Sequence, residues 1–128
     1  MKYLLDTHTA IWALEDDRTK LSMTARTLLE DGSATLCVSI ASAWEIAIKV
    51  SVGKLDFAGG ASTFLEEMRL SGVELLGITG EHVEVVESLP LVHRDPFDRL
   101  LVATAKADGL TILTADENIH KYDVPSLW

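Results

Sequence analysis

Apolar residues follow two rhythms along this chain. Short unbroken runs, KYLL (2–5), ATLCVSI (34–40), VELLGI (73–78) and LTILT (110–114), are bounded by polar or turn residues. They read as strands covered on both faces. Longer segments with helical spacing lie between them: HTAIWAL (8–14), LSMTARTLLEDG (21–32), SAWEIAIKVSVG (42–53), STFLEEMRLSG (62–72), GEHVEVVESL (80–89) and PFDRLLVATAKADG (96–109). The third of these is expected to put Ile40, Ala43, Trp44, Ala47 and Ile48 on one broad face, with Glu45 beside it. The last is the best marked, with Asp95 at the N-cap, Pro96 in the first turn and Gly109 at the C-terminal cap. ADENIHKY (115–122) reads as a short helical piece, and VPSLW (124–128) as a small edge strand.

Strands alternating with helices predict a three-layer α/β/α sandwich around a central parallel sheet. No repeat, linker or low-complexity segment interrupts the pattern, so residues 1–128 are expected to form a single domain, long enough to bury roughly two thirds of its unfolded surface. In such sheets ligands bind beyond the carboxyl ends of the strands. Asp6 follows the first strand, Asp116 follows the LTILT strand, and Asp98 opens the best-marked helix near the same edge.

Taken singly, these acids have plain structural roles. Asp6 and Asp95 can cap helices, Asp98 imitates a capping-box acid, and the pairs Ser42/Glu45 and Thr114/Glu117 fit capping boxes. Together they do not. Glu45 lies too deep in its helix for the dipole to account for it, and four carboxylates converging on one edge repel unless protons or cations relieve them. Hard divalent cations with oxygen ligands are the natural remedy. No zinc pattern competes: the four histidines show no ligand spacing and read as surface or packing residues, and one cysteine cannot build a sulfur site. Glycine cradles for nucleotides and the GxSxG hydrolase elbow are also absent from the sequence.

Composition refines this picture. Eleven Lys and Arg against twenty Asp and Glu give a net charge of -9. That argues against a module that holds nucleic acid through its bulk field, but not against an enzyme that meets a phosphodiester through metal ions. Six acids between Glu66 and Glu87 face only Arg69, whereas Arg94, Arg99 and Lys106 flank the Asp98 region. Arg94 and Arg99 are therefore expected to meet substrate phosphate. Cys37 sits in a strand as a packed thiol, no run is long enough to span a membrane, and the apolar start breaks at Asp6; a reducing cytoplasm is the expected location.

Three segments, YLLDTHTAIWAL, VSIASAWEIAIK and HRDPFDRLLVATAKADGLTILTAD, resemble in order the PIN-domain ribonucleases, and among them the VapC-like toxins of toxin–antitoxin pairs. The resemblance implies RNA cleavage with Mg2+ or Mn2+ held by Asp6, Glu45, Asp98 and Asp116. It implies supporting hydroxyls at Thr7 and Thr114, 3'-hydroxyl and 5'-phosphate products, a homodimer, and inhibition by a cognate antitoxin. Asp95 lies three residues before the family's third acid and is kept as a helix cap and further candidate. Single-stranded or looped RNA is the expected substrate, since paired bases are hard to reach. Two rivals remain: a PIN-like fold kept only for binding, and a receiver-type phosphate-accepting domain, which would want adjacent acids and a lysine after a late strand.

Overall fold

Neighbouring residues of a strand point to opposite faces, so a strand apolar at every position must be covered on both sides. The computed structural model, which describes residues 1–128, meets that demand with five strands. They are β1 (Lys2–Leu5), β2 (Thr35–Ser39), β3 (Glu74–Leu76), β4 (Thr111–Leu113) and β5 (Ser126–Leu127), all parallel, in the order β3-β2-β1-β4-β5. Leu4, Cys37 and Ile112 point into one core; Leu5, Val38 and Leu113, each the next residue along, point into the other.

Helices α1 (Thr7–Leu14), α2 (Met23–Glu30), α3 (Ile40–Ser51) and α4 (Gly60–Leu70) cover the second core. Helices α5 (Gly80–Ser88), α6 (Pro96–Asp108) and the short α7 (Glu117–His120) cover the first, where Leu101, Val102 and Ala105 of α6 pack on the sheet. The expected three-layer architecture is thus present. The chain builds outward from β1 to β3, then returns to place β4 on the free side of β1. The connection leaving β1 therefore runs to β2 on one side and the connection leaving β4 runs to β5 on the other, and a crevice opens at the carboxyl ends of β1 and β4. A receiver-type sheet sets its first strand between the second and third; here β1 lies between β2 and β4, which removes that alternative.

Most helix signals fall where the sequence puts them. Asp95 caps α6, accepting from the backbone N–H of Phe97 and of Asp98 (2.9 and 3.3 Å), and Gly109, which has no Cβ to clash, ends the helix in a left-handed conformation. Helix α3 departs from expectation in two ways. It starts three residues early, with Ser39 rather than Ser42 as its N-cap, and its buried residues are Ala41, Ser42, Ala43, Glu45 and Ile46. Trp44 and Ile48, expected inside, are 58% and 38% exposed. The helix is turned because it supplies polar groups to a polar site, so counting apolar positions points to the wrong face. The Thr114/Glu117 capping box is likewise replaced, because Asp116 itself caps α7 through the Asn118 N–H at 2.8 Å.

Buried His82 completes the start of α5. Its N–H donates to Thr79 Oγ1 (3.2 Å), its Nδ1 accepts from the Thr79 N–H (3.1 Å), and its Nε2 reaches Asp108 of α6 at 3.0 Å. Replacing His82 with Ala removes the reciprocal cap and the link between α5 and α6. Denaturant unfolding should show a loss of about 1–3 kcal/mol.

Candidate metal-dependent active site

A strand that ends on an acid delivers it to the sheet edge, and β1 and β4 deliver two at the crevice. Asp6 follows β1 directly and caps α1, its Oδ1 accepting from the Thr9 N–H at 2.8 Å. Its own N–H extends the ladder to the Leu113 carbonyl at 3.3 Å. Across the crevice, the Thr114 hydroxyl donates to Asp6 Oδ2 and accepts the Asp116 N–H at 3.0 Å. Thr114 therefore joins the acids that end β1 and β4, and it is fully buried. Burial raises the Asp6 pKa above the usual carboxylate range, while the bonds from Thr114 and Thr9 pull the other way.

Helix α3 adds Glu45 from the side. One carboxylate oxygen accepts from the Thr7 hydroxyl at 2.7 Å, and that hydroxyl also lies 2.9 Å from Ser42 Oγ. The other oxygen meets Lys49 Nζ at 2.6 Å, one helical turn on. Thr7, Ser42 and Glu45 are all buried, whereas the Lys49 side chain is partly exposed. The bond to Glu45 raises the Lys49 pKa, and the charges of Asp95 and Asp98 add to the effect. A protein cation therefore stands at the rim of the acidic pocket. Its sequence trace, a lysine four residues after a helix acid, is indistinguishable from an ordinary surface pair.

Helix α6 brings the last acid. Asp98 Oδ2 lies 3.3 Å from His93 Nε2. Its pKa is raised to about 8, first by burial and then by the fields of Asp95, Asp116, Asp6 and Glu45. The acids read from the sequence therefore meet in one electrostatic environment, with Asp95 contributing from the helix cap. The two arginines divide. Arg94 is exposed beside the pocket, but Arg99 is committed elsewhere. Its guanidinium donates to the carbonyls of Pro90, Val86 and Leu89 and to the Tyr122 hydroxyl, binding the end of α5 to the segment before α6. The expectation that Arg99 meets substrate phosphate is corrected accordingly: with the His93 carbonyl, five oxygens surround its donors. His93, taken from the sequence as a packing or surface residue, instead touches an acid of the site.

Each carboxylate has a partner within the chain, and no three His, Cys, Asp or Glu side chains stand close enough to form a ready-made metal cage. The donor set nevertheless suits a hard divalent cation: four carboxylates with hydroxyl support and no thiolate. A carboxyl pushed to about 8, first by burial and then by its acidic neighbours, marks a place that takes up positive charge, either as a proton or as a cation. No helix is long and apolar enough to cross a membrane.

Known proteins share this architecture. A sequence model of the PIN domain matches residues 3–125. Ribonuclease VapC22 of Mycobacterium tuberculosis is 29% identical over 123 residues, which cover 95% of this chain and 92% of that protein. Two solved structures superpose over nearly the whole length. VapBC2 from Rickettsia felis, bound to a DNA fragment from its promoter, has a TM-score of 0.73 and 18% identity, with 100% of this chain and 99% of that one covered. FitAcB from Neisseria gonorrhoeae has a TM-score of 0.62 and 19% identity, with 98% and 96% covered.

The raised carboxyl makes a statement about stability. In the folded chain Asp98 holds its proton up to about pH 8, whereas unfolded it releases it near the ordinary aspartate value of 3.8. Between those values the folded state binds more protons, so stability falls as pH rises, and the raised Asp6 pKa acts in the same direction. In chelator, thermal unfolding midpoints should drop from about pH 5 to about pH 8. Asp98→Asn should flatten that slope.

Proposed function

The chain belongs to the PIN-domain family, and on that footing we propose that it is a Mg2+- or Mn2+-dependent endoribonuclease, the toxin of a toxin–antitoxin pair restrained by a cognate antitoxin. One observation carries the reading. Asp98 of α6 lies in the fields of Asp6 after β1, Glu45 of α3 and Asp116 after β4, and it is raised to about 8, first by burial and then by Asp95 and these acids. A solvated acidic surface has no such effect on its members. The 29% identical relative named as a ribonuclease supports RNA as the substrate.

Asp6, Asp98 and Asp116 would hold the cation. A divalent cation bound there would supply a more acidic water and neutralise charge on the phosphate. Glu45, fixed by Thr7 and Lys49, orients the attacking water, and Thr114 keeps Asp6 turned to its neighbour across the crevice. Lys49 stands beside these acids and can offer its ammonium to a phosphate oxygen. Hydrolysis breaks the bond from phosphorus to the 3'-oxygen: hydroxide from water joins phosphorus, and a proton goes to the 3'-oxygen. The products carry a 3'-hydroxyl and a 5'-phosphate.

Single-stranded or looped RNA is the proposed substrate, because its bases can be splayed from their stacks while the backbone enters the pocket. Exposed Arg94 would meet a flanking phosphate. A net charge of -9 suits a basic antitoxin segment, and solved relatives are described as toxin–antitoxin and VapBC complexes. We place the chain in a homodimer on the same family grounds.

The reading is tested by incubating a pool of structured RNAs with purified protein, in Mg2+ or Mn2+ and in chelator. Asp98→Asn should lower cleavage by about a thousandfold with the fold retained by circular dichroism, and the chelator should abolish it. Metal-independent cleavage, or a fully active Asp98→Asn protein, would defeat the proposal. RNA binding without cutting would identify a domain kept for binding. Arg94→Glu should raise KM several-fold and leave the Mn2+ affinity unchanged; an unaltered KM removes Arg94 from the substrate path.

A further inference from the structure

An arginine can only donate, and a hydroxyl has one proton to give. These two limits fix the direction of a chain of hydrogen bonds that ends on Asp98. Arg99 Nη1 donates to the Tyr122 hydroxyl at 3.0 Å. The proton of Tyr122 then serves His93 Nδ1 at 2.8 Å. With Nδ1 accepting, the neutral imidazole carries its proton on Nε2, which faces Asp98 Oδ2 at 3.3 Å. Any other arrangement leaves the Tyr122 proton without an acceptor or points a bare nitrogen at a carboxylate.

The members of this chain come from separate parts of the fold. Tyr122 is buried after α7, Arg99 lies on α6, and His93 lies in the segment before α6. The His93 and Tyr122 rings also meet edge to face, with centroids 5.5 Å apart. The imidazole is thus held by packing on one side and by a hydrogen bond on another, while Arg99 is itself pinned by backbone carbonyls. Only Oδ2 of Asp98 is hydrogen-bonded within the chain. We propose that His93 is a positioning residue of the metal site: clamped by Tyr122 and Arg99, its Nε2–H fixes one oxygen of Asp98 and leaves the other to the divalent cation. The assignment rests on the metal-dependent reading of the pocket.

Outer partners that orient metal ligands typically alter affinity by about tenfold to a hundredfold. Calorimetric titration of the purified full chain with Mn2+, in the absence of RNA, reads the effect directly. His93→Ala should weaken binding by about tenfold or more, with an unchanged circular dichroism spectrum. His93→Gln, whose amide can still donate, should recover most of the loss. Tyr122→Phe keeps the ring and removes the hydroxyl, and should fall between wild type and His93→Ala. In an Asp98→Ala background, His93→Ala should have no further effect, because the group it orients is gone.

Wild-type affinity in folded His93→Ala, or an equal loss in the Asp98→Ala background, overturns the positioning role. If His93→Ala does not fold, Tyr122→Phe decides, and wild-type affinity there overturns it as well. Failure of the wild-type chain itself to bind Mn2+ overturns the reading of the pocket as a metal site, and the role of His93 with it.

Discussion

Carboxylates that face one another in a half-buried pocket cannot all remain charged without compensation. Much of the architecture around the site answers that constraint. Thr114 and the Thr9 N–H hold Asp6, Thr7 and Lys49 hold Glu45, the Asn118 N–H is held by Asp116, and His93 holds Asp98. These partners come from strands, helices and connecting loops alike. The repulsion that remains is concentrated on Asp98, the acid surrounded by the others, and emerges as an affinity for positive charge.

The sheet makes this gathering possible. Because β1 leads to β2 on one side and β4 leads to β5 on the other, the connections diverge at their carboxyl ends and a crevice is left between β1 and β4. Along β1, β2 and β4, Leu4, Cys37 and Ile112 fill one face and Leu5, Val38 and Leu113 the other, so these three strands are firm supports. Helices α3 and α6 then approach the crevice from opposite layers, one bringing Glu45 with Lys49 and the other bringing Asp98 with its cap Asp95. Their meeting is reinforced at the rim, where Trp44 of α3 packs edge-on against Phe97 of α6 with ring centroids 5.2 Å apart. The exposed tryptophan that upset the expected face of α3 thus braces two of the helices that carry acids.

What the sequence revealed depended on how local each cause was. Short apolar runs identify the strands because the middle strands are buried on both faces, and the Asp95–Pro96 start and Gly109 stop of α6 follow from the conformations of single residues. Asp6, Asp98 and Asp116 were legible because each stands at an element boundary. The turned face of α3 was not, since Ser42 and Glu45 point inward only because Thr7 awaits them from another helix. Ser39 displaced Ser42 as the cap for the same reason: the true helix start follows directly from β2. His93 and Tyr122 lie twenty-nine residues apart with no shared periodicity, so only the folded chain shows them touching. Arg99 looks like a free surface cation until the carbonyls that surround it are seen.

The contact between Thr114 and Asp6 joins residues 108 apart in sequence. Synthesis runs from the amino end, so Asp6 is made long before Thr114. Until β4 has been made, the acids beside β1, α3 and α6 lack Thr114, Asp116 and the β4 wall. The site is therefore completed by a late event in folding, the pairing of β4 with β1.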